Sequence, residues 1–128
     1  MARSYLVDTQ TLILSFLTPD KLLRKARSIM EDGSVERILS SVSIVEVGIK
    51  SGLGKLEITE AELQMAIRDL QLKVIPFPAA HAFGLFRLPQ RTDMFDRMLI
   101  ATALALDAPI ISGDREFSRY EGLKVIWK

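Results

Sequence analysis

The sequence predicts a three-layer α/β/α fold with a mainly parallel central sheet. Two observations carry that prediction: short β-forming runs alternate with segments of helical periodicity along the whole chain, and the spacing between strands leaves room for the crossover helices that parallel neighbours require. A length of 128 residues fits one domain, residues 1–128, and no linker, repeat or low-complexity tract divides it.

The elements follow in order. Ser4 to Val7 reads as a short strand, Asp8-Thr9 ends it, and Thr11 to Leu17 suits a helix. Asp20 is placed to cap a second helix, on which Leu22, Leu23, Ala26, Ile29 and Met30 share a face and which Gly33 stops. Arg37 to Val42 fits a second strand. Ser43-Ile44-Val45-Glu46 then has the spacing of a capping box and opens a third helix, closed by Gly52 and Gly54. Thr59 to Glu62 repeats the box ahead of Leu63, Ala66, Ile67 and Leu70. Lys73 to Phe77 is a third strand, which Pro76 and Pro78 place near an edge or end early. A helical stretch from Ala79 to Leu88 is broken by Pro89, after which Thr92 or Asp93 caps a long apolar helix running to about Leu106. Pro109 to Ser112 makes a fourth strand, Gly113-Asp114 turns the chain, and Leu123 to Trp127 supplies the last.

Composition narrows the function classes. Hydrophobic residues make up 48% and charged residues 26%, the balance of an ordinary globular domain. The longest apolar stretch, Met98 to Leu106, is interrupted by Thr102 and falls far below the roughly 18 residues of a membrane span. The N-terminus lacks the apolar run and cleavage site of a secretory signal, so a cytoplasmic address is expected. With no cysteine and a single histidine, His81, the chain can build neither a thiolate nucleophile nor a zinc site of the usual ligands. A formal charge of +1, from 17 basic and 16 acidic residues, leaves nucleic-acid binding to a local patch. Arg87, Arg91, Arg97, Arg115 and Arg119 lie in the C-terminal part, where they either flank a polyanion or form a solvated surface.

In a parallel α/β sheet the carboxyl ends of the strands share one edge, and ligands bind there. Asp8 directly follows the first strand, and Asp114 lies just past the fourth. Glu46 falls in the first turn of the helix leaving the second strand, and Asp96 near the start of the helix that feeds the fourth. Each has a local alternative: a cap or turn for Asp8, the reciprocal partner in a capping box for Glu46, compensation of a helix end for Asp96, a Gly-Asp turn for Asp114. Together they point to a hard divalent cation, because neighbouring carboxylates raise one another's pKa unless a cation joins them. Magnesium, with manganese as a substitute, suits an all-oxygen site and takes only one or two carboxylates directly.

Leu6-Val7-Asp8-Thr9, Ser43-Ile44-Val45-Glu46 with Lys50 and Gly54-Lys55-Leu56, Phe95-Asp96-Arg97-Met98-Leu99-Ile100-Ala101 and Ser112-Gly113-Asp114 resemble, in order and over nearly the whole chain, PIN domains of the VapC toxin group. The resemblance implies a metal-dependent endoribonuclease, the toxin of a toxin-antitoxin pair, usually a homodimer and held inactive by a cognate antitoxin. By position, Asp8 and Asp96 match the principal metal ligands and Glu46 and Asp114 complete the acidic site. Ser112 matches a hydroxyl that orients the site, and Thr9 the small polar residue beside the first Asp. Gln10 stands where His is frequent, and Arg91-Thr92-Asp93-Met94 where His-Arg-Asp-Pro often precedes the Phe-Asp-Arg run. These departures bear on substrate preference and on Asp93, read as a helix cap with contact to the metal network as the alternative.

The mechanism implied is in-line attack of a metal-activated water on an RNA phosphodiester, leaving a 5′-phosphate. Arg97, Arg115, Lys50 and Arg91 are candidates to hold the RNA backbone, with an ion-pair role as the alternative for Arg97. The competing class is a non-catalytic α/β binding module that acts through a protein partner, its acids serving as caps. A phospho-accepting receiver domain wants an adjacent acidic pair after the first strand, and a phosphatase with an Asp nucleophile wants an acid at position 10. Val7-Asp8-Thr9-Gln10 offers neither.

Overall fold

Five strands, β1 (Ser4–Val7), β2 (Glu36–Ser40), β3 (Lys73–Ile75), β4 (Ile110–Ile111) and β5 (Val125–Ile126), pair in parallel in the order β3-β2-β1-β4-β5. They form the sheet of the computed structural model, which describes residues 3–89 and 93–128. Helices α1 (Thr9–Leu17), α2 (Arg24–Glu31), α3 (Ser41–Gly52), α4 (Glu60–Asp69), α5 (Ala79–Phe83) and α6 (Met94–Leu106) make the crossovers and cover both faces. Alternation along the central strand divides the core. Tyr5 and Val7 join Leu39 and Ile111 in packing against α1, α2, α3 and α4, while Leu6 joins Ile38 and Ile110 against α6 and Phe117. The α/β/α layering read from the sequence is the layering observed, and the sheet is wholly parallel.

Local signals hold in part. Thr59 and Glu62 form the expected reciprocal box, the Thr59 hydroxyl accepting from the Glu62 amide at 3.1 Å and Glu62 Oε1 from the Thr59 amide at 3.0 Å. β3 is an edge strand and stops at Ile75, before Pro76. Asp93 caps α6 through the Asp96 amide, and Thr92, the other candidate, lies outside the described residues. Three boundaries are corrected. Asp20 does not cap α2: it lies in a 3₁₀ turn, Pro19–Lys21, and its carboxylate takes Arg27 Nη2 at 3.0 Å. β2 ends at Ser40, whose own hydroxyl caps α3 by accepting from the Val42 amide. The Ser43–Glu46 box therefore does not exist, because helix has already begun two residues before Ser43. The stretch expected to be one helix from Ala79 splits at Gly84 into α5 and a 3₁₀ turn, Gly84–Arg87.

Arg37, buried in β2, ties two helix ends to the sheet. Its Nη1 donates to the carbonyls of Ile29 and Asp32 at the C-terminus of α2, and its Nη2 to the Leu70 carbonyl that closes α4, at 3.0 Å. The last carbonyls of a helix lack the i+4 donor of its interior, and the negative end of each helix dipole favours the cation. Arg37→Leu removes all three bonds, among them the one from Nη2 to the Leu70 carbonyl. The expected cost is about 3 kcal/mol, read as a lower urea midpoint with an unchanged m-value; an unaltered midpoint would show that the guanidinium contributes nothing to the fold.

Candidate acidic active site

The carboxyl edge of the sheet is where backbone need and side-chain supply meet. α1 begins immediately after β1, so Asp8 becomes its N-cap, and Oδ1 accepts from the Thr11 amide at 2.8 Å. The Thr11 hydroxyl donates to the Ile111 carbonyl at 3.0 Å, which fastens α1 to β4. Thr9 Oγ1 donates to Ser43 Oγ at 2.9 Å and so fixes α1 against α3. Across β4, Ser112 is buried and hydrogen-bonds the Asp8 carboxylate, while its Oγ accepts the Asp114 amide at 3.1 Å. Asp114 in turn caps a 3₁₀ turn, Arg115–Arg119, through the Glu116 amide at 2.9 Å.

Glu46 differs from the other acids. It sits in the second turn of α3, not the first, and has no capping role. Its side chain is 6% exposed; Oε2 takes Lys50 Nζ at 2.6 Å, and Oε1 is buried with no hydrogen-bond partner. A buried carboxylate oxygen without a donor is costly.

Asp8, Glu46, Asp96 and Asp114 line one cleft of about 400 Å³, together with Lys50 and Asp93. All four acids expected from the sequence are brought together, and Thr9 joins them in the wall while Ser112 supports from behind. Burial is the main force that raises the Asp8 carboxyl, opposed by the bonds from Ser112 and Thr11 and reinforced by Asp114. Asp96 is pushed up to about 7, first by partial burial and then by Asp93, Asp114, Glu46 and Asp8. Every acid of the cleft thus acts on Asp96. The Lys50 ammonium is raised by its bond to Glu46, against its partial burial, with Asp93 and Asp96 adding to the effect. A larger hollow of about 620 Å³ runs beside α6 near Ala101 and Tyr120, away from the acids.

The donors fit a hard cation: oxygen groups only, one of them a buried oxygen awaiting a partner. Among the described residues no three carboxylates or histidines are grouped as a direct ligand set for one ion.

Of the basic candidates, Lys50 lines the cleft and Arg115 lines an adjoining hollow. Arg97 lies outside both walls; its Nη2 donates to the Leu85 carbonyl at 3.2 Å and ties α6 to the preceding 3₁₀ turn. Arg91 lies outside the described residues. His81 stands apart, edge-on to Phe77. Asp93, read as a cap with contact to the site as the alternative, caps α6 and also lines the cleft. Trp127, absent from the sequence reading of the site, also forms part of the wall; its signal was position, since it directly follows a parallel strand as Asp8 and Ser112 do.

The family model described as "PIN domain" matches residues 5–123. Among solved structures, the chain is similar to one in the crystal structure of VapBC2 from Rickettsia felis bound to a DNA fragment from its promoter, with a TM-score of 0.74 and 18% identity over 98% of this chain and 99% of that one. It is also similar to a chain of DNA-bound VapBC from Salmonella typhimurium, with a TM-score of 0.71 and 18% identity over 98% of each. A chain of a toxin-antitoxin complex from Klebsiella pneumoniae gives a TM-score of 0.68 and 21% identity over 95% of each. No curated protein matches the sequence. At these identities the structures establish a shared fold.

The raised Asp96 carboxyl has a consequence for stability. Between about pH 4 and 7 the folded, metal-free protein binds more protons at this residue than the unfolded chain, so its stability falls as pH rises through that window. In chelator, Asp96→Asn is expected to melt a few degrees higher than wild type at pH 8 and to show a flatter dependence of Tm on pH, the gain being limited by the carboxylate's half-exposure. Parallel Tm profiles for the two proteins would show that the acids do not interact.

Proposed function

The chain belongs to the PIN domain family, and from that premise we propose that it is a magnesium-dependent endoribonuclease, the toxin of a VapBC-type pair. The observation that carries this is the convergence of Asp8, Glu46, Asp96 and Asp114 on one cleft, with Glu46 Oε1 buried and unpartnered. Asp8 and Asp96 would hold the ion and Glu46 and Asp114 complete its surroundings; manganese would serve the same donors. When bound, such an ion supplies positive charge opposite the scissile phosphate and acidifies a water.

The chain's own groups do the rest. Ser112 and the Thr11 amide hold the Asp8 carboxylate, so that it does not swing when a polyanion approaches. Thr9 and Ser43 lock α1 to α3 and thereby set the distance between Asp8 and Glu46. Lys50 brings a positive charge to the cleft wall, where a phosphate oxygen can compete for it with Glu46. The reaction is a hydrolysis: the water oxygen joins phosphorus, O3′ leaves with a proton, and the products end in a 5′-phosphate and a 3′-hydroxyl. The chemistry needs neither histidine nor cysteine, in keeping with a chain that has one of the first and none of the second.

The assemblies to which the fold is similar support a cognate antitoxin as partner. The family likeness supports a homodimer and a cytoplasmic place of action; among the described residues no helix is long and apolar enough to cross a membrane. Purified protein is expected to cleave members of a mixed panel of structured and single-stranded RNAs with magnesium or manganese and to stop in chelator. Asp8→Asn and Asp96→Asn should each lose about a hundredfold or more in rate with native circular dichroism. Full activity in either variant would sink the mechanism. Silence on every RNA together with no divalent-ion binding by calorimetry would favour the non-catalytic binding module.

A further inference from the structure

An acidic cleft repels the polyanion it is to cut, so affinity for the strand must come from beyond its walls. A second hollow of about 490 Å³ opens beside the cleft and shares Gly113, Asp114 and Trp127 with it. Apart from the shared Asp114 its lining has no acid, and it presents Lys25, Arg115 and Lys128. Lys50, Arg27 and Arg119 are all committed to acids elsewhere. Among the described residues Lys25 and Arg115 form no ion pair, which leaves their charge available to phosphate.

Between the two hollows stands Trp127, the one tryptophan of the chain. Its position is fixed twice. The Trp127 carbonyl accepts the Ala26 amide at 3.2 Å, satisfying one of the free N–H groups of α2, whose N-cap residue Leu23 offers no side-chain acceptor. The same bond brings Lys25, the residue before Ala26, beside the tryptophan. The indole also lies on Gly113: a Cβ built there would stand 2.7 Å from Cε2, 2.9 Å from Cζ2 and 3.2 Å from Cδ2, over the ring fusion. Only glycine leaves the ring where it is.

We infer that Trp127 is a stacking platform for a nucleobase next to the scissile phosphate, and that Lys25 and Arg115 hold the strand's phosphates as it leaves the acidic cleft. The ligand is a single strand of RNA, since a base within a duplex has no free face to offer the indole. This subsite rests on the nuclease reading above. A platform pinned by a backbone bond and a glycine contact loses little freedom on binding, which is what favours affinity.

The chain's single tryptophan makes the test direct. A fluorescein-labelled single-stranded RNA oligomer is titrated into the protein in chelator, where no cleavage occurs, and anisotropy and indole emission are followed together. Emission should be quenched in step with binding. Trp127→Leu should weaken binding about tenfold, and Trp127→Phe, which keeps an aromatic face, should retain most of it. Lys25→Ala, an exposed change that leaves the core intact, should flatten the slope of log K against log salt by about 0.7, and adding Arg115→Ala by about 1.4 in all. Emission unchanged at saturation, or wild-type affinity and salt slope in the variants, overturns the subsite even if the protein cleaves RNA with magnesium. Quenching and weakened variants in a protein that cuts no RNA uphold the subsite and retire the nuclease reading instead.

Discussion

Carboxylates held within electrostatic reach of one another in a partly buried cleft repel, and local bonds keep them in place against that repulsion. Asp8, Asp93 and Asp114 each use Oδ1 to cap a helix or 3₁₀ turn. The cap satisfies a backbone amide and at the same time aims the carboxyl at the carboxyl edge of the sheet. The same residues therefore serve as caps and line the cleft. Capping needs one oxygen, and the other stays outside the capping bond. Glu46 has no such capping role: Oε2 takes Lys50, and Oε1 is buried with no hydrogen-bond partner.

The same logic orders the opposite end of the molecule. Helices that cross between parallel strands run back against them, so their N-termini gather with the acids and their C-termini gather at the far edge. Arg37 serves that far edge, its guanidinium shared between the ends of α2 and α4. Anions near helix starts and a cation at helix ends both complement the backbone dipoles. Lys50 is the counterweight inside the cleft. It neutralises one oxygen of Glu46, while the remaining acids still raise the Asp96 carboxyl.

Much of this was legible in the sequence, and the misses have physical causes. The succession of short β-forming runs and helical segments gave the layers, because burial on both faces of a central strand such as Ser4–Val7 leaves little choice of residue. The Thr59–Glu62 box was readable since both of its bonds are local. Ser43–Glu46 has the same spacing and is not a box. There Ser40 caps α3 first, and the competition between two serines three residues apart is settled by where β2 runs out of partners, a property of the sheet and not of the motif. The role of Arg37 was hidden because its acceptors lie on α2 and α4, near in space but on different elements. Trp127 was hidden likewise, since its contacts with Gly113 and Ala26 join segments far apart along the chain.

The order β3-β2-β1-β4-β5 also governs when the cleft comes into being. β1, β2 and β3 are consecutive in the chain and adjacent in the sheet, so the first half of the protein can associate through contacts of modest sequence separation. β4 must return across about a hundred residues to pair with β1, and only then does Asp8 meet Ser112 and Asp114. During synthesis, which adds residues from the N-terminus onward, the half-built chain already carries Asp8 and Glu46 but lacks the far wall. The topology thus keeps the cleft unassembled through most of translation, a built-in delay that belongs to the winding of the sheet and to no single residue.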